Sequence, residues 1–202
     1  MKKTAALLLA LCMIFALAGC GSSSKPDEVV SKFCGALKNF DLETMRSCVN
    51  GTDSDPLDFD EEETPAEVLK ILKSNAGKIT YAIGETKVSG ETGTVDVDFT
   101  YPDVTVAVTT AMGEYFMQAL SMAFSGADEE DMEKLLEDTL IEKLKETPAT
   151  EATASIQFNC IQTDDGWKIK SLDADVLNIM MGNMIKAFEG IEDDMNSSAD
   201  LP

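Results

Sequence analysis

Histidine is absent from the 202 residues. That excludes a Ser-His-Asp or Cys-His catalytic system and any His-ligated zinc, haem or copper site. Basic residues are scarce too. Lys plus Arg number 16 against 37 Asp plus Glu, a formal net charge of −21. A chain this negative repels nucleic acid and anionic headgroups, so no nucleic acid is expected among its partners. Long apolar runs are also missing. Residues 5–18 (AALLLALCMIFALA) make a stretch of 14, short of the about 20 that a spanning helix needs.

What the first residues do contain is an address. Lys2 and Lys3 precede the apolar stretch, and Leu17-Ala18-Gly19-Cys20 closes it. The pattern fits a secretory leader, and its end resembles a bacterial lipobox. That resemblance implies a signal peptide over residues 1–19 and a lipid on Cys20. Residues 20–25 are then a Gly/Ser-rich tether, residues 26–190 a single domain, and residues 191–202 an acidic tail. The expected location is extracytoplasmic, with the membrane reached through the lipid on Cys20. Past Cys20 three cysteines remain, Cys34, Cys48 and Cys160. An odd number does not make a disulfide scaffold.

The periodicity predicts helices first. One runs over 26–38 with Val29, Val30, Phe33 and Leu37 inward. A second opens at Asp41 as N-cap and reaches about residue 49. A third follows Thr64-Pro65. Ile79, Tyr81 and Ile83 then alternate, and after a turn at 89–93 so do Val95, Val97, Phe99 and Tyr101. Pro102 is expected to end that register. Residues 103–110 fit both a strand and a helix; continuity with the helical stretch to Phe124 favours the helix. An acidic helix reaches about Glu146 with Met132, Leu135, Leu136, Leu140 and Leu144 as its buried side. A hairpin turning at Asp164-Asp165-Gly166 and one last helix over 174–188 complete the pattern. The fold class is α+β: N-terminal helices against a curved antiparallel sheet, with a long helical insert and a C-terminal helix.

Several groups invite a chemical reading. Asp53, Asp55, Asp58 and Asp60 lie in an acidic loop, but Leu57, Asp58 and Thr64 break the order of an EF-hand; the loop reads as solvated, with no metal. Asp96 and Asp98 share one strand face with Thr94 and Thr100, which reads as the solvent side. Tyr81, Tyr101, Phe158 and Trp167 lie on or beside the apolar strand faces. They are either pocket lining or sheet–helix core. Cys34 and Cys48 flank the turn between the first two helices at comparable distances. They either form a disulfide, which export permits, or pack as small apolar groups.

The segments PDEVVSKFCGALKNFDLETM, DDGWKIKSLD and LNIMMGNMIKAF, in that order, resemble small bacterial lipoproteins of unknown function. Those proteins are similar to the cone-shaped nuclear-transport-factor-2-like (cystatin-like) fold. The resemblance spans nearly the whole chain after Cys20, apart from the helical insert at about 103–146. It implies no activity, because that family has none in common. The inward faces offer tyrosines and one thiol, but no carboxylate, histidine or arginine. The function expected is therefore a non-catalytic binding module for a small molecule, peptide or envelope partner, without cofactor. The alternative is a pocket hydrolase or isomerase using carboxylate or tyrosine acid–base chemistry.

Overall fold

The computed structural model describes residues 25–51, Leu57 and residues 64–199, with side chains as far as Ile191. The leader, Cys20, the four loop aspartates Asp53, Asp55, Asp58 and Asp60, and the end of the tail lie outside the described residues.

The chain begins with α1 (Pro26–Asn39), α2 (Leu42–Cys48) and α3 (Ala66–Ala76). Strands β1 (Thr80–Ser89) and β2 (Thr92–Asp103) follow, then helices α4 (Thr105–Ser125) and α5 (Glu129–Glu146). Strands β3 (Thr150–Thr163) and β4 (Gly166–Ile169) lead to α6 (Ala174–Met180) and α7 (Met184–Ala199). The four strands form one open, curved antiparallel sheet in the order β1-β2-β3-β4. The α+β class is thus as the pattern predicts.

Strand alternation sets the two faces of the sheet. Val95, Val97, Phe99 and Tyr101 of β2 are buried, and Ile156, Phe158 and Cys160 of β3 with Trp167 and Ile169 of β4 extend the same surface. Helix α1 covers it with Val30, Phe33 and Leu37, all at 0% exposure. Full burial of side chains of this size contributes about 1.5–3 kcal/mol each. Pro26 fixes the start of α1, where its missing N–H costs nothing. At the other end Phe40 takes a left-handed conformation, φ 55°, and the Asp41 N–H reaches back to Ala36 O at 2.9 Å. The αL region costs a non-glycine residue about 1–2 kcal/mol. Burial of the Phe40 ring, with the Lys73 ammonium 5.7 Å from its centroid, offsets that cost. Asp41 caps α2 by accepting the Thr44 N–H at 3.0 Å.

The helical insert is spliced into the sheet at a single rung, and it packs back on the body through Ala107, Val108 and Leu144 and through Lys145, 2.7 Å from Glu67 of α3. Asp103, the last residue of β2, pairs with Thr150, the first of β3. Helices α4 and α5 leave and re-enter between those two residues, so they form an arm on an otherwise ordinary meander. The ambiguous stretch is helical from Thr105, whose N–H donates to the Asp103 carboxylate at 2.8 Å. Asp128 and Asp131 cap α5 reciprocally.

Four expectations are corrected. The β2–β3 ladder runs through Pro102, which pairs with Glu151. Pairing with β1 has already stopped at Thr100, so no second ladder is asked of Pro102 on that side. The last helix is two helices, because Gly182 and Asn183 both have positive φ, 61° and 63°. The second of them continues to Ala199, well past residue 188. On α5 only Leu144 of the expected apolar set is buried; Met132, Leu135, Leu136 and Leu140 are half-buried, because α5 packs chiefly on its neighbour α4 and not on the sheet.

Candidate functional site

The inner face of the sheet was the natural place for a pocket, and the structure fills it. Phe33 of α1 meets Phe158 edge-on, with centroids 5.7 Å apart, and Phe99 lies 6.4 Å from both Phe158 and Tyr81. The Tyr81 hydroxyl donates to Ser31 O at 3.4 Å, and the Tyr101 hydroxyl donates to Asn183 Oδ1 at 3.2 Å. Trp167, 7% exposed, closes one end of this face. It lies over Gly93, where an added Cβ would come within 3.4 Å of the indole and 2.9 Å of Pro26. The four aromatics therefore pack into the core, the two tyrosines with their hydroxyls hydrogen-bonded.

Several open depressions lie at the edges of this core. One of about 470 Å³ is bordered by Lys87, Ser89, Thr92, Thr94, Asn159 and Lys170. A second, about 430 Å³, borders Tyr101, Pro102 and Pro148 where the arm meets the sheet. Phe158 borders a third of about 120 Å³.

The carboxylates predicted to face solvent do so. Asp96 accepts a hydrogen bond from Gln157 Nε2 at 2.8 Å, and Asp98 accepts one from the Ser155 hydroxyl, each across to β3. Among the described residues no group of three or more Cys, Asp or Glu side chains is placed to hold a metal ion. Cys34, Cys48 and Cys160 are buried free thiols. Burial, and then the neighbouring Cys48, push Cys34 up to about 12; burial pushes Cys160 up to about 11 and also raises Cys48. Thiols so protonated are poor nucleophiles. Cys34 and Cys48 are not bridged and pack as buried thiols.

Sequence reasoning missed a polar node at the root of the arm. Asn183 accepts from Tyr101 and donates to Asp103 Oδ2 at 2.8 Å, while Asp103 also accepts from the Thr105 N–H. Burial by itself raises the Asp103 pKa, but the hydrogen bonds from Thr105 and Asn183 together outweigh it and hold the carboxyl below its ordinary range. The signal was Asn183 directly after Gly182, a pair suited to left-handed backbone.

It also missed how bare the arm is. Val106, Met117, Leu120 and Phe124 of α4 are 54%, 76%, 61% and 86% exposed. Among the described residues no helix is long and apolar enough to cross a membrane.

No family model matches the chain, and no curated protein matches it. Among solved structures it is similar to the crystal structure of a "putative lipoprotein (ycdA)" from Bacillus subtilis subsp. subtilis str. 168, with 16% sequence identity and a TM-score of 0.39. The match covers 79% of this chain and 47% of that one, so this chain spans about half of that protein's length.

Proposed function

We propose that this chain is a lipoprotein anchored outside the cytoplasmic membrane through Cys20, and that its domain, nuclear-transport-factor-2-like (cystatin-like) in plan, binds a partner and does not catalyse. The anchor stands on Lys2, Lys3, the apolar stretch and Leu17-Ala18-Gly19-Cys20. One stable lipid attachment and a short polar tether keep the domain near the surface.

The observation that carries the binding reading is that the tyrosine hydroxyls and the thiols of the inner face are already committed. Tyr81 holds Ser31 O, Tyr101 holds Asn183, and the thiols are protonated. Acid–base work needs a group free to exchange a proton with substrate. Asp96 and Asp98 lie on the outer face of the sheet, apart from the apolar side, and are hydrogen-bonded to Gln157 and Ser155. Binding therefore belongs to the exterior: the outer-face depression near Lys87 and Lys170, or the bare side of α4.

A thermal-shift screen of small molecules and peptides, followed by Asp96→Asn/Asp98→Asn on any hit, tests this. Binding should survive the double substitution. A measurable turnover that disappears with it, in a folded protein, would make the chain an enzyme.

A further inference from the structure

We infer that α4 is a self-association helix, and that its occupant is the α4 of a second copy packed antiparallel to it. This goes beyond the binding reading above and does not depend on the anchor.

The inference begins with the two sides of α4. Val104, Val108 and Ala111 are buried, and Tyr115, Ala119 and Met122 are half-buried; they form the side turned to the rest of the molecule. The opposite side is formed by Val106, Thr110, Gly113, Met117, Leu120 and Phe124, all exposed. Their spacing is 4-3-4-3-4, the seam of an antiparallel or parallel coiled coil. It runs the length of the helix, about 30 Å at 1.5 Å per residue. A helix apolar on both sides normally has both sides covered.

The seam carries no charge. Glu114 is the only charged residue in Thr105–Ser125, and it is paired with Lys143 of α5 at 3.1 Å. Gly113 adds an independent sign. A glycine within a helix costs about 0.5–1 kcal/mol relative to alanine. Among the described residues nothing lies within 4 Å of where its Cβ would be.

The order of side chains then selects the occupant. The seam is complementary to its own reverse. When two copies lie antiparallel about Tyr115, Val106 faces Phe124, Thr110 faces Leu120, and Gly113 faces Met117 of the other copy. Each pair puts a small side chain against a large one, the arrangement by which facing layers interdigitate. A parallel pair sets Phe124 against Phe124 and Gly113 against Gly113, leaving a crowded end and a void. A lipid surface fits less well, because α5 brings eight acidic residues and three lysines into the same arm, and anionic headgroups repel them. The same acidity makes two copies repel at long range. Association should therefore strengthen as salt screens that repulsion.

Among the described residues the buried core lies between Pro26 and Ala187, and the chain from Gly21 to Pro202 retains it. Sedimentation velocity on that chain should show a monomer–dimer equilibrium that shifts toward dimer as salt is raised. Met117→Glu and Leu120→Glu, both at exposed positions, should keep it monomeric with an unchanged circular dichroism spectrum. For orientation, Thr110→Cys chains are mixed with Leu120→Cys chains and oxidised with copper phenanthroline, which takes two electrons as two thiols lose their protons and join. The mixed disulfide should exceed either like-with-like product several-fold. A wild-type chain that stays monomeric at ~100 µM in salt high enough to shorten the Debye length to a few Å overturns the inference. So does a dimer indifferent to both glutamates, a preference for the like-with-like disulfide, or a monomer that floats with neutral phosphatidylcholine vesicles.

Discussion

Gly182 is the residue on which the C-terminal half turns. Its φ of 61° and an added Cβ only 2.8 Å from Pro102 O leave no room for a side chain, while its own carbonyl accepts the Val104 N–H at 2.9 Å. Gly182→Ala should destabilise the protein by at least about 1–2 kcal/mol from the left-handed backbone alone, read as a lower midpoint in urea. Asp103, beside it, should make stability depend on acid. Its carboxyl is held below the ordinary value of 3.8 in the folded state. Its contribution is therefore complete above that value and is lost as the pH falls through the folded one. Wild type should exceed Asp103→Asn in stability by a constant margin at neutral pH, and the margin should close below about pH 4. A margin unchanged down to pH 2 would detach Asp103 from the node. Neither residue was legible as important beforehand. Both act through contacts between β2 and the turn before α7, about 80 positions apart, and periodicity carries only local information.

At the scale of elements, local chemistry was enough where one rule acted unopposed. Asp41 before Leu42, alternation through Val95, Val97, Phe99 and Tyr101, and the Asp-Asp-Gly turn each define an element that the structure contains. The reading failed where tertiary context decides. The stretch from Ala174 has helical periodicity throughout, and only the docking of Gly182 and Asn183 on β2 and Asp103 breaks it. The apolar stripe of α5 was legible, but not that its main packing partner would be α4 and not the sheet. Lys143 holds the two together, its ammonium 3.1 Å from Glu114, 3.0 Å from Glu142 and 3.5 Å from Glu146, with its side chain 12% exposed. Lys143→Gln should loosen the arm and leave the meander intact. Hydrogen exchange should then quicken across Thr105–Ser125 and Glu129–Glu146, with β2 and β3 unchanged. Equal loss of protection in the strands would mean that the arm is no separate unit.

For the whole molecule, charge was legible from composition, because it is a property of sequence that folding does not alter; the proposed address rests on the first twenty residues alone. The candidate site was legible only in part. Residue types located the aromatics on the inner sheet face, but whether a face encloses a cavity depends on how far Phe33 and Leu37 of α1 reach into it. They reach far enough to fill it. Under the proposed reading, the surfaces left for a partner are on the outside of an acidic body held near a membrane. That account depends first on the anchor. Cells expressing the full chain are fed labelled palmitate, and the protein is recovered with and without Cys20→Ala. The account predicts label in the wild type, none in Cys20→Ala, and wild type alone in the membrane fraction. Label retained by Cys20→Ala, or an unlabelled wild type released with the soluble proteins, would contradict it.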